Sequence, residues 1–165
     1  MIRVSDLGQK YVEKSEFFKT NFNNYFDGYK VSYSDLIITT VGSWPSNPLS
    51  VVGKLVRVPS FANGFYLNQN MVRIRPGNGI NEIIYLQLIH KTFSDYLISG
   101  AQGSANQASI TLEHTFKYRV LVPNLESLND FFKHINKYID YKIMENQKLT
   151  ELKDLLLSKL ATIEN

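Results

Sequence analysis

Histidines, carboxylates and amides are the groups in this chain that could move a proton, hold a metal or pair with another molecule. Their spacing decides among those uses. His90, His114 and His134 stand 24 and 20 residues apart, outside any HExxH context, and the 165 residues include no cysteine, so no zinc set or thiolate site can be assembled. Asp140 followed by Glu151-Leu152-Lys153 mimics the acidic signature of a metal-dependent nuclease. Both fall in one helical stretch, ~16 Å apart at ~1.5 Å per residue, too far for one cation to bridge, so they are read as a solvated face. Asn47-Pro48-Leu49-Ser50 lacks the second proline and the aromatic of the loop with which amino-methyltransferases hold a flipped base. No GxSxG elbow, GxxxxGK[ST] loop or GxGxxG fingerprint follows a strand, and Gly77-Asn78-Gly79 is a turn rather than a phosphate cradle. No catalytic residue and no metal ligand is assigned.

One stretch carries recognition chemistry instead. Residues 99–109, Ser-Gly-Ala-Gln-Gly-Ser-Ala-Asn-Gln-Ala-Ser, are low in bulk and rich in amides and hydroxyls. Asn and Gln pair bidentately with adenine edges and Ser goes to several bases, so this is a candidate recognition loop. An ordinary solvated connector is the equal alternative. Aromatics crowd residues 17–29 (Phe17, Phe18, Phe22, Tyr25, Phe26, Tyr29), where packing is the favoured reading over stacking on bases.

The elements that must position these groups follow from pattern. Residues 35–41, Asp-Leu-Ile-Ile-Thr-Thr-Val, form a buried strand by β-branched content, running into a Gly- and Pro-bearing loop over residues 42–48 that holds the only tryptophan. Strands are expected over 51–58 and 65–75, closed by the turn at 76–79, then an amphipathic helix over 82–98 and a last short strand over 118–122. This gives an α+β body with a small, mainly antiparallel sheet.

Residues 125–163 read as one long helix. Leu128, Phe132, Ile135, Ile139 and Ile143, then Leu149, Leu152, Leu156, Leu160 and Ile163, recur at helical steps between charged and amide residues, with no Gly and no Pro after Pro123. Each large apolar side chain left in water forfeits roughly 1.5–3 kcal/mol, so the stripe must be covered. A helix of about 38 residues is ~57 Å long, which exceeds the body of a domain built from the rest, so part of it must lie against something else. The bland alternative is a core helix packed on its own body.

Composition bounds the rest. With 44% apolar residues the chain can bury a core. No run approaches a membrane span and the first residues show no signal peptide, so a soluble, cytoplasmic protein is expected. Residues 1–124 hold 12 Lys/Arg against 8 Asp/Glu, whereas 125–165 hold 6 against 7. A basic body and a near-neutral helix suggest a polyanion partner for one and a protein partner for the other.

Taken in order, several weak motifs form a succession. A strand ending Thr40-Val41-Gly42-Ser43 precedes Leu67-Asn68-Gln69-Asn70-Met71-Val72-Arg73-Ile74-Arg75-Pro76. The helix from Tyr85, the Gly103-Ser104-Ala105-Asn106-Gln107-Ala108-Ser109-Ile110 stretch, Val120-Leu121-Val122-Pro123 and Leu155-Leu156-Leu157-Ser158-Lys159-Leu160 follow. This succession resembles the target recognition domain and following helix of type I restriction-modification specificity subunits. Against that pattern residues 1–124 are an N-terminally incomplete recognition domain and 125–165 an antiparallel coiled-coil spacer; only Glu126 remains of the Glu-Gln pair that follows the proline.

The resemblance implies a non-catalytic subunit that reads one half of a bipartite target in double-stranded DNA. It implies separate methylation and restriction subunits that carry the S-adenosylmethionine-, ATP- and Mg-dependent chemistry, and no cofactor in this chain. It also implies a homodimer through the last helix, its interface formed by Leu128, Phe132, Ile135, Ile139, Ile143, Leu149, Leu152, Leu156 and Leu160. On that reading Arg57, Arg73, Arg75 and Lys117 are the phosphate candidates, and Ser43, Trp44, Gln102, Ser104, Asn106 and Gln107 the base-edge candidates. The competing expectation is a structural coiled-coil protein that oligomerises without binding DNA.

Overall fold

Strand β1, Leu36–Thr39, is apolar or fully buried at every position because both of its faces are covered. It is the centre of a three-stranded antiparallel sheet of order β3-β1-β4, with β3 at Leu55–Arg57 and β4 at Met71–Ile74. The register sets Leu36 opposite Arg57 and Ile74, and Thr39 opposite Met71. Alternation along β1 then feeds two cores. Ile37 joins Ile2, Val12, Val31, Val56 and Val58, while Leu36 and Ile38 join Ile84, Leu88, Phe93, Leu97, Ala108 and Ile110. The architecture is α+β with a long C-terminal helix. The computed structural model describes residues 1–8, 11–12, 24–77, 80–122 and 126–163, the side chains of 24–26, 126–127 and 163 excepted. The aromatics Phe17, Phe18 and Phe22 lie outside the described residues, as do the Tyr25 and Phe26 side chains; Tyr29 is exposed.

At Thr40 the chain leaves the first sheet, and Val41–Gly42 (β2) pairs into a second of order β2-β6-β5. Here β5 is Gln102–Ser104 and β6 Gln107–Ser109. Thr40 is the hinge between the sheets: its N–H donates to the Asn70 carbonyl (2.9 Å) and its carbonyl accepts from Ile110 (2.8 Å). The strand expected over 35–41 is thus divided between two sheets, and those expected over 51–58 and 65–75 shrink to β3 and β4.

Two further expectations are corrected, and one helix is added. The helix over 82–98 is two helices, α1 at Asn81–Leu88 and α2 at Lys91–Ser99, with His90 capping the second by accepting the Thr92 N–H. A short helix α3, Leu112–Phe116, follows the second sheet, where the sequence pattern marks no element. Residues 118–122 form no strand. The Gln87 side chain holds that segment, donating to the Leu121 carbonyl (2.6 Å) and accepting its N–H (2.8 Å), as a neighbouring strand would.

Helix α4, Glu126–Ile163, spans 38 residues. Its first half lies against α1 and the turn at Ser60, where Asp140 accepts the Ser60 N–H (2.8 Å). The side turned inward is largely polar: Asn129, Asn136 and Asp140 are buried beside Ile143 and the half-buried Phe132. Asp140 is therefore not on a solvated face, which corrects its reading from sequence. The apolar residues Leu128, Ile135 and Ile139 are exposed, and from Lys148 to Thr162 every residue is exposed. The helix overhangs its body by about half its length.

Candidate functional site

The second sheet brings together residues about 60 apart in sequence. Ser43 and Trp44 continue directly from β2, whose Val41 and Gly42 pair with Ser109 and Ala108 of β6. The Trp44 indole N–H donates to the Ser104 carbonyl at 2.6 Å, tying the Gly42–Val51 loop to the tip of the β5–β6 hairpin. The Ser50 hydroxyl donates to the Ser43 carbonyl (2.5 Å) and closes that loop on itself. Gln102, Ser104, Asn106 and Gln107 are all exposed on the hairpin, and Ser43 is half-buried at its base.

The segment expected as a flexible recognition loop is thus a paired ribbon. What allows it is glycine: a Cβ at Gly103 would sit 1.9 Å from the Gln107 carbonyl oxygen, so the two strands close up only without one. Trp44 is corrected from a base-edge contact to a strut, because its single polar atom is already used and its ring packs on the second core.

The cations separate from this group. Arg57 is 5% exposed, and its Nη2 serves Tyr33 Oη (3.0 Å), Ser34 Oγ (3.3 Å) and Glu82 Oε1 (3.5 Å). Ser34 in turn donates to Glu82 (2.8 Å) from a left-handed backbone conformation, φ 71°. Arg57 is withdrawn as a phosphate contact: reaching a phosphate would strand a buried carboxylate. Tyr85, on the buried side of α1, belongs to the same neighbourhood; burial raises its phenol above the ordinary range while the Arg57 charge pulls the other way.

Arg75 is bidentate on Asp35 (2.7 and 2.6 Å), which holds its guanidinium proton still more tightly than usual, chiefly through that hydrogen bond. Arg73 donates to the Lys30 carbonyl, and Lys117 pairs with Glu113 on the surface. Arg73 and Arg75 leave β4 towards its Ile74 end, whereas the hairpin follows the opposite end of β1, beyond Thr39. The two candidate sets are therefore offset by several residues along β1, at ~3.3 Å each.

Arg73 and Arg75 line a cavity of about 560 Å³ whose other walls include Ile74, Ile84, Leu88, Phe93, Tyr118 and Val120. Its lining offers no carboxylate, histidine or cysteine to move a proton. The three histidines have structural partners. His90 caps α2, His134 donates to the Asp130 carbonyl, and His114 stacks on Tyr96 at 4.3 Å and donates to its carbonyl. Among the described residues no three His, Asp or Glu side chains converge as a metal site, and no helix is long and apolar enough to cross a membrane.

No family model and no curated protein matches this chain. Residues 42–51 and 99–111 contain neither a carboxylate nor a cation, so the exposed polar side chains of the hairpin and its supporting loop are amides and hydroxyls, beside the exposed Leu49.

On α4 the proposed interface residues divide. Ile143 is buried against the body and Phe132 half-buried; Leu128, Ile135, Ile139, Leu149, Leu152, Leu156 and Leu160 are exposed. At 100° per residue Leu128, Ile135 and Ile139 flank the Asn129-Asn136-Asp140 side at about 100° from it, and Leu149, Leu152, Leu156 and Leu160 lie nearly opposite it, so the exposed apolar stripe drifts round the helix as it runs its length.

Proposed function

We propose that this chain is a non-catalytic, sequence-specific DNA-recognition subunit of a type I restriction-modification system, acting in the cytoplasm. The body reads one half of a bipartite duplex target, and α4 pairs antiparallel with the α4 of a second copy. Methylation and restriction subunits dock on that pair and supply the chemistry. The observation that carries the reading is the gathering of the exposed Gln102, Ser104, Asn106 and Gln107 on one uncharged hairpin, with the half-buried Ser43 at its base. Amides and hydroxyls held on a rigid ribbon suit base edges, and the cations Arg73 and Lys117, set to one side, suit the backbone.

The helix supports the second copy. Leu128, Ile135, Leu149 and Leu156 fall at multiples of seven residues, as do Phe132, Ile139 and Leu160, so one heptad frame runs through the rod and is interrupted at Lys142, Asn146 and Lys153. Antiparallel alignment within that frame sets Leu128 opposite the partner's Leu160, Phe132 opposite the partner's Leu156 and Ile139 opposite the partner's Leu149. The polar Lys142 and Asn146 meet at the centre. A two-fold pair repeats each contact, so the same stripe covers itself.

Light scattering followed by a duplex titration at two salt concentrations tests the reading. It expects a dimer whose duplex affinity falls steeply with salt. Dimers without duplex affinity favour the rival, a coiled-coil oligomerisation protein, for which the exposed stripe of α4 speaks equally well. Product formed from DNA, methyl donor and metal by this chain alone would overturn the non-catalytic assignment.

A further inference from the structure

We infer that the β5–β6 hairpin enters the DNA major groove as a two-stranded ribbon and reads base edges through one face, which adds Ser109 to the reading residues. The inference rests on the proposed DNA reading and specifies its geometry. The register pairs Gln102 with Ser109, Gly103 with Ala108 and Ser104 with Gln107. Side chains alternate along a strand, so Gln102, Ser104, Gln107 and Ser109 share one face, and Gly103 and Ala108 share the other.

The second face offers a ligand no polar side chain, although Gly103 itself is exposed. Ala108 is fully buried and Gly103 has no room for a side chain. The first face is a two-by-two array of amides and hydroxyls, steadied by the Ser109 hydroxyl, which donates to the Gln102 carbonyl (3.2 Å) while its oxygen can still accept.

Width selects the groove. Strand β2 supports β6 only at Ala108 and Ser109, so the tip, from Ser104 through Gln107, projects as two strands alone. Two strands lie ~4.8 Å apart. With its side chains such a ribbon fits the undistorted major groove, ~12 Å wide, whereas the minor groove, ~6 Å wide, takes strands only where the duplex is deformed. No carboxylate within residues 99–111 repels the flanking phosphates. The Trp44 indole braces the tip through the Ser104 carbonyl, which limits the ordering cost of insertion.

Glutamine is matched to adenine, whose N7 accepts and whose N6 donates in the major groove. The ribbon should therefore demand A·T pairs at the positions opposite Gln102 and Gln107.

The test selects duplexes from a random pool with the full chain and with Gln102→Ala/Gln107→Ala, then maps the retained duplex with dimethyl sulfate. That reagent methylates guanine N7 in the major groove and adenine N3 in the minor groove. The expected result is a selected motif containing A·T pairs, guanine N7 protection within it, and loss of roughly 5- to 150-fold discrimination at those pairs in the variant. An unchanged circular dichroism spectrum accompanies this, since both side chains are exposed. An unchanged motif in the variant, or protection of adenine N3 in place of guanine N7, overturns the ribbon while leaving DNA recognition standing. No duplex retained by the wild type at low salt overturns both.

Discussion

Replacing Leu149 and Leu156 by Glu tests whether the overhanging half of α4 is one side of a seam. Both leucines are more than half exposed in the single chain, 58% and 54%. Complete burial of a leucine contributes roughly 1.5–3 kcal/mol, so covering the remaining half contributes about 1 kcal/mol each. A two-fold pair counts each position twice. The double substitution thus removes about 4 kcal/mol, or roughly three decades in the dissociation constant at ~1.4 kcal/mol per decade. It also places carboxylates opposite the partner's Ile139 and Phe132. Glu is a good helix former, so the helix itself should survive with its circular dichroism unchanged. Light scattering across a concentration series is expected to give a dimer for the wild type and a monomer for the variant.

The alignment can be measured separately. The chain has no cysteine, so Ser158→Cys carries a single spin label. Antiparallel pairing in the heptad frame puts the two labels ~42 Å apart along the axis at ~1.5 Å per residue, whereas parallel pairing leaves them roughly 10 Å apart. A wild type that stays monomeric throughout, or a Glu variant that stays dimeric, refutes the seam. A short label distance refutes its direction.

Further outcomes follow from the body. Gly103→Ala drives a methyl into the Gln107 carbonyl, so the hairpin must open; faster amide exchange confined to residues 102–109, with duplex affinity reduced, is expected. Arg57→Ala leaves Glu82 as an unpaired buried carboxylate and should cost about 3–5 kcal/mol in urea unfolding. The milder Arg57→Met/Glu82→Gln should leave the salt slope of duplex binding unchanged, whereas Arg73→Ala should lower it by ~0.9. Tyr85, with its phenol raised by burial, binds its proton more tightly folded than unfolded, so its contribution is intact below the unfolded value and declines from about pH 10 upward. Thermal melts of Tyr85→Phe should lose that alkaline decline.

What the sequence made legible was the strongly periodic part. The rod was readable because it repeats helical steps without Gly or Pro, and β1 because Leu36-Ile37-Ile38 is a continuous apolar run of the kind a central strand needs. The hairpin was not. Gln, Gly, Ser and Asn have little strand preference, and their pairing is imposed from outside by Val41–Gly42 and the Trp44 bond. The division of α1 from α2 does have a signal in the sequence. Continuing the stripe of Ile84 and Leu88 by helical steps lands on Lys91, Thr92 and Asp95, so the apolar phase slips between the two halves. Nothing local marks Arg57 as buried, since its carboxylate lies 25 residues further on. The polar inward side of α4 also defeats the simple rule that apolar residues turn inward: Asp140 earns its burial by accepting one backbone N–H from Ser60.

That inward contact bears on how far apart two reading heads would stand. The body grips α4 through Asn129, Phe132, Asn136, Asp140 and Ile143, a contact centred near residue 136. The Gln87 clamp on Leu121 fixes the approach to the helix as well. In the proposed antiparallel pair, position 136 lies opposite the partner's residue 152, so the two grips are 16 residues apart. That distance is ~24 Å along the rod, or about seven base pairs at ~3.4 Å each. The whole helix, at ~57 Å, would set a limit of roughly 17 base pairs. In that proposed pair the overhanging leucines cover the partner's first half rather than extend the reach, so half-sites in selected duplexes should lie nearer the shorter spacing than the longer. Shortening the rod beyond Lys148 should abolish pairing before it changes that spacing. Half-sites that move together as the rod is trimmed, in a pair that stays dimeric, would show that the heads ride on the helix ends and not on this grip.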